Sequence, residues 1–138
     1  MGRLLIQEEV LNMEVTYIST DKAPAAIGPY SQGTKVGNMV FTSGQLGIDP
    51  KTGEFVNSNI EEETRQSLKN LKAVVEKSGG TLENVVKVTI FIKNMGDFSK
   101  INGVYGEYFN SHKPARSCVE VAKLPKDGNV EIEAIAII

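Results

Sequence analysis

Cysteine is almost absent from this chain: Cys118 is the single one among 138 residues. No intrachain disulfide can form, and a reducing compartment suits that composition. Histidine is as scarce, with His112 alone, so a zinc centre of clustered His and Cys has no ligand set. Long apolar runs are missing too. No stretch approaches the roughly 20 residues that a membrane-spanning helix needs. Charge of one sign is not in excess: 15 basic against 17 acidic residues leave a net charge of -2. That balance argues against an extended nucleic-acid or anionic-membrane surface. No Gly-x-Gly-x-x-Gly fingerprint or phosphate-binding loop occurs, which removes the nucleotide reading.

What is present suits a single core. A chain of this length buries roughly two thirds of its unfolded surface, and two domains would leave each short of core. The first twelve residues stand apart, because Gln7, Glu8 and Glu9 break their apolar run. That pattern is poor for a signal peptide and too acidic for a transit segment. The expectation is an extension at residues 1–12, one domain at 13–138, and a cytoplasmic location.

Along the domain, 14–19 reads as a strand. Pro24, Gly28 and Pro29 then oppose regular structure. Residues 33–35 and 39–43 read as strands around a Gly37-Asn38 turn. From Ile60 to Lys77, Ile60, Thr64, Leu68, Leu71 and Val75 recur at helical spacing, with Asn59 and Glu62 resembling a capping box. Ser78-Gly79-Gly80 stops that helix. Residues 85–92 read as a strand with Val86, Val88, Ile90 and Ile92 on one face and Val85 and Phe91 on the other. Asp97 is placed to cap a second helix whose Phe98, Ile101, Tyr105 and Tyr108 share a face. Pro114 precedes a strand at 116–121, and residues 130–138 form the last strand. Its apolar end suggests an edge strand covered on one face by helix and on the other by a second subunit. The order of elements gives an α+β layer fold.

Candidate chemistry is spread over several elements. Arg116, Cys118 and Glu120 share one strand face, being two residues apart. Arg116 can offer a rigid fork to a carboxylate, or pair with a surface glutamate. Cys118 reads more readily as a pocket wall than as a nucleophile, because no fixed base accompanies it. Glu131 and Glu133 share a strand side; either would orient water, although periodicity alone favours a solvated face. Tyr30 follows Gly28-Pro29 and would wall a small pocket or anchor a turn. Ser43-Gly44-Gln45 offers close backbone approach beside polar side chains, and Asn102 is a polar helix residue.

Taken together, these segments resemble the RidA (YjgF) family over about 15–138. The resemblance is carried by Ala23-Pro-Ala-Ala-Ile-Gly-Pro-Tyr-Ser-Gln32, Phe41-Thr-Ser-Gly-Gln45, Arg65-Gln-Ser-Leu-Lys-Asn70, Pro114-Ala-Arg-Ser-Cys-Val-Glu-Val121 and Leu124-Pro-Lys-Asp-Gly-Asn-Val-Glu-Ile-Glu-Ala134. It implies a chorismate-mutase-like mixed sheet packed against two helices, assembled as a homotrimer with clefts between subunits. It also implies a 2-iminobutanoate/2-iminopropanoate deaminase, hydrolysing small 2-imino acids to 2-oxo acids and ammonia without metal or organic cofactor. Under that resemblance Arg116 binds the substrate carboxylate and Glu131 positions or activates water. Tyr30, Ser43, Asn102 and Cys118 complete the substrate pocket. One departure stands out: Asn110-Ser-His-Lys-Pro114 is compact, whereas some relatives have a longer approach to Pro-Ala-Arg.

Two other classes share these features. A ligand-binding or regulatory trimer would use the same arginine pocket without turnover. An RNA-cleaving translation inhibitor is the other, and here it lacks a basic stripe and a catalytic histidine arrangement.

Overall fold

The computed structural model describes residues 14–138. The extension expected at 1–12 lies outside them. Seven strands, β1 (Val15–Ile18), β2 (Gly33–Val36), β3 (Met39–Thr42), β4 (Gln45–Leu46), β5 (Val85–Ile92), β6 (Ala115–Glu120) and β7 (Val130–Ile137), form one sheet with helices α1 (Ile60–Lys77) and α2 (Phe98–Tyr108). Strand order is β1-β2-β3-β7-β5-β6, and β4 also pairs with β7. Only β5 and β6 run parallel, and α2 supplies the crossover that a parallel pair requires.

Local chemistry accounts for the element ends. Asn59 Oδ1 accepts the Glu62 N–H at 2.8 Å, and three glutamates follow in the first turn of α1. The helix stops at Ser78, whose N–H returns to the Val74 and Val75 carbonyls, and Gly79 follows at φ 104°. Gly37, at φ 58°, turns β2 into β3 with Val36 opposite Met39. Asp97 precedes α2 as expected but makes no side-chain cap bond. The capping-type bond falls one turn earlier, where Asn94 Oδ1 accepts the Gly96 N–H.

Both helices cover one sheet face. Leu68, Leu71 and Val75 of α1 and Ile101, Val104 and Tyr105 of α2 pack on Val88, Ile90, Ile92, Val130, Ile132, Ala134 and Ala136. Arg65 ties the helices together, its guanidinium meeting Glu107 at 2.8 Å and Glu62 on its own helix. Among the described residues, no helix lies on the other sheet face. Rows such as Tyr17–Thr34–Phe41–Ile135 and Val15–Val36–Met39–Ile137 run across it. Val15, Tyr17, Met39, Phe41 and Val119 are all more than a third exposed.

Three expectations are corrected. The last strand is central, between β3 and β5, rather than at an edge; Ala134 and Ala136 pack under the helix layer, and Ile135 and Ile137 emerge on the open face. A register shift between Val85 and Lys87 puts Val85 and Val88 in the core together and leaves Val86 44% exposed. Strict alternation had assigned Val85 and Val86 the opposite way. A short strand, β4, is also added after β3.

Candidate functional site

The sheet register separates the candidate residues into two groups. Arg116 lies opposite Val88 and Cys118 opposite Ile90, both core residues, so these side chains point to the helix layer. Glu131 lies opposite Phe91, which in turn lies opposite Val119, on the open face. Within one chain, Arg116 and Glu131 therefore project from opposite sides of the sheet.

On the helix side, α2 prepares Arg116. Its Nη1 donates to Asn102 Oδ1 at 2.6 Å. The guanidinium carbon sits 4.7 Å from the Tyr105 ring centre and 5.5 Å from that of Phe98. Two rings and one amide hold the fork in a single orientation, and guanidinium–ring stacking contributes about 0.5–2 kcal/mol per contact. The remaining N–H groups are available to an anion. Asn102, Tyr105, Gly106, Phe109, Lys113 and Arg116 line a cavity of about 370 Å³ here. The Tyr105 hydroxyl is buried without a hydrogen-bond partner. Burial raises the pKa of that phenol, and the Arg116 charge opposes the rise. Cys118, two residues along, is packed against the core and lines neither this cavity nor the one on the open face. Burial also lifts its thiol above the usual range, again opposed by Arg116, which keeps it protonated at neutral pH.

On the open side, Tyr30, Ser43 and Glu131 share a cavity of about 550 Å³ with Gln45, Ile27 and Lys126. The break between β3 and β4 creates it. There Thr42 Oγ1 accepts the Ala134 N–H at 3.0 Å in place of a strand bond. Ser43 donates its hydroxyl to the Ser31 carbonyl. Gly44 passes against Glu131, where a Cβ would lie 2.6 Å from the Glu131 Cδ, so a larger residue there would push the carboxyl aside. Glu131 is held above the usual carboxylate range, first by burial and then by the Glu133 charge on the same strand side. A carboxylate so placed is a better proton acceptor than a free one.

Buried polar side chains hold both rims in place. Gln32 Oε1 accepts the Thr20 N–H, and its Nε2 donates to the Thr20, Ala23 and Pro24 carbonyls, pinning the segment before Tyr30. Asn70 donates to the Leu46 and Ile48 carbonyls, and Ser67 to that of Gln45. Glu63 is 1% exposed, and its two oxygens accept the Asn129 N–H and Nδ2–H at 2.8 Å each, two residues before Glu131. Sequence reasoning quoted Gln32, Ser67 and Asn70 inside motifs without a role and passed over Glu63, Lys113 and Tyr105 as site neighbours. The signal for Ser67 and Asn70 was polar residues on a helix face otherwise apolar. Lys113 had no comparable signal.

A sheet that the described helices cover on one side, with an arginine at one cavity and a half-buried carboxylate at another, is an α+β fold of the YjgF type. Comparison with known proteins agrees. The family model described as Endoribonuclease L-PSP matches residues 20–138. A RutC family protein of Pyrococcus abyssi is 55% identical over 119 residues, covering 86% of this chain and 94% of that protein. The 2-iminobutanoate/2-iminopropanoate deaminase of Escherichia coli K12 is 53% identical over 123 residues, covering 87% of this chain and 95% of the relative. The crystal structure of E. coli TdcF with bound serine superposes with a TM-score of 0.86 at 48% identity, covering 89% of this chain and 98% of TdcF. The chain belongs to the Endoribonuclease L-PSP family, the YjgF/RidA family. Relatives in it carry deaminase, RutC and endoribonuclease names. Among the described residues, no helix is long and apolar enough to cross a membrane.

Proposed function

We propose that this protein hydrolyses small 2-imino acids, such as 2-iminopropanoate and 2-iminobutanoate, to 2-oxo acids and ammonia, at sites completed between subunits of a homotrimer. The observation that carries the reading is the Arg116 fork, fixed by Asn102 and two aromatic rings beside an open cavity. Such a group suits a planar carboxylate. The deaminase name of a 53% identical relative supports the same chemistry. Intersubunit assembly is supported by the opposite facing of Arg116 and Glu131 and by the uncovered apolar sheet face. A second copy laid on that face would bring the Tyr30, Ser43 and Glu131 cavity of one subunit toward the Arg116 cavity of another.

The reaction asks little of the protein. The iminium carbon is already electrophilic. Water adds to it while the Glu131 carboxylate takes the water proton; the C–N bond then breaks as nitrogen leaves protonated. In sum, one iminium and one water give one 2-oxo acid and one ammonium. Arg116 anchors the substrate carboxylate, Tyr30, Ser43 and Asn102 line the pocket, and neutral Cys118 packs behind Arg116 on the same strand face without lining either cavity. The test is conversion of freshly generated 2-iminopropanoate and 2-iminobutanoate by the full chain and by Arg116→Ala. The expected result is acceleration by the wild type and a loss in kcat/KM on the order of 100-fold or more in the variant, with the fold intact. A folded wild-type protein that does not exceed spontaneous hydrolysis would make this a non-catalytic ligand-binding member instead.

A further inference from the structure

The Arg116 cavity holds a second cation. Lys113 and Arg116 both line it, and none of its lining residues is a carboxylate. Among the described residues Lys113 has no ion-pair partner, whereas Arg65 and Lys93 each meet an acid within 3 Å. An exposed lysine is ordinarily just solvated, so its placement decides the matter.

That placement is held by the chain on either side. The link from α2 to β6 is short, running from Phe109 to Pro114. Phe109 is buried at its start, with its ring 4.8 Å from that of Tyr105. His112 uses its ring Nε2 on the Val85 carbonyl at the head of β5. Pro114 has a fixed φ and restricts the residue before it, which is Lys113. The Lys113 backbone is thus clamped between an anchored histidine and a proline, three residues from the arginine fork.

We infer that Lys113 forms a second anion subsite beside Arg116, extending the substrate class of the proposed deaminase to 2-imino dicarboxylic acids. The inference rests on the reading of Arg116 as the clamp for the substrate carboxylate. With a monocarboxylate on Arg116, the lysine charge stays unmatched within the same small cavity. A second carboxylate on the substrate side chain meets it. The C=N hydrolysis is unchanged, with the same bonds made and broken; only the recognised side chain differs.

The experiment uses the full chain with two imines generated in place by amino-acid oxidation, 2-iminosuccinate and 2-iminopropanoate. The quantity read is the ratio of kcat/KM for the dicarboxylate to that for the monocarboxylate. Lys113→Met lowers this ratio roughly three- to tenfold, Lys113→Arg keeps it, and the wild-type ratio falls as salt is raised. Acceleration of 2-iminopropanoate with no acceleration of 2-iminosuccinate overturns the subsite alone. So does a Lys113→Met variant whose ratio is unchanged. Failure to accelerate either imine strikes instead at the deaminase reading on which the subsite depends.

Discussion

Glu131 is where local electrostatics and function meet most directly. It is half-buried beside Glu133 with Gly44 backbone against its carboxyl, and its pKa is raised by burial first and by Glu133 second. A carboxyl whose folded pKa lies above its unfolded one binds more protons when folded. Stability is therefore lost as pH rises through the folded pKa, and the charged form at neutral pH is a destabilising one. Glu131→Gln removes that penalty. The expected outcome is a Tm higher than wild type by roughly 1–3 °C at pH 7–8. The difference disappears near pH 4, where the native carboxyl is protonated, and the variant loses imine turnover. Thermal melts at the two pH values check the first part. A Tm gain that persists undiminished at pH 4 would show that packing, not charge, is responsible. If Glu131 is the proton acceptor of the proposed reaction, the expected acid limb of the wild-type kcat/KM lies above the pH of an ordinary glutamate.

At the scale of elements, the site depends on how α1 holds the β3–β4 region beneath it. Ser67 and Asn70 face the backbone of Gln45, Leu46 and Ile48 and satisfy carbonyls that so short a strand leaves over. Asn70 is fully buried. Asn70→Ala leaves two carbonyls without their donor, and the expected loss is about 2–4 kcal/mol in urea unfolding. The segment carrying Ser43 and Gly44 loosens with it, so kcat/KM for 2-iminopropanoate also falls. A midpoint within experimental error of wild type would mean that water replaces the amide and that the helix does not hold the segment.

For the whole molecule, the decisive feature is the division of Arg116 and Glu131 between two faces of one sheet. If each site joins Arg116 of one subunit to Glu131 of its neighbour, two inactive variants complement each other. Arg116→Ala and Glu131→Gln chains, co-refolded in equal amounts, form mixed trimers in three cases out of four by random assortment. Each mixed trimer contains one site with both native residues. The expected activity is about a quarter of wild type, against almost none for either variant alone. An activity no greater than the sum of the two separate preparations would place a complete site within one subunit. The companion expectation is a trimeric mass for the wild type in solution, with the exposed Tyr17, Phe41 and Val119 face as the proposed contact.

Much of the architecture was legible in residue order because its physics is local. The 60–77 helix follows from apolar spacing, an Asn cap and a Ser-Gly-Gly stop. The 85–92 strand follows from β-branched residues. The family resemblance rests on segments whose letters are enough to recognise, and the fold it implied is the fold found. What pairs with what was decided elsewhere. Position in the sheet depends on bonds between segments far apart in the chain, so 130–138 reads as an edge strand while the strand found there, β7, is central. The bulge after Val85 exchanged the faces of two valines that alternation had assigned the other way, since one unpaired residue shifts every neighbour's phase. Sequence named Arg116, Glu131, Tyr30, Ser43, Asn102 and Cys118 as candidates. Tertiary structure alone sorted all but Cys118 into two cavities on opposite faces, left Cys118 against the core, and added Lys113 and Tyr105 beside the arginine, because the side on which a strand residue emerges is meaningful only once its neighbours are in place.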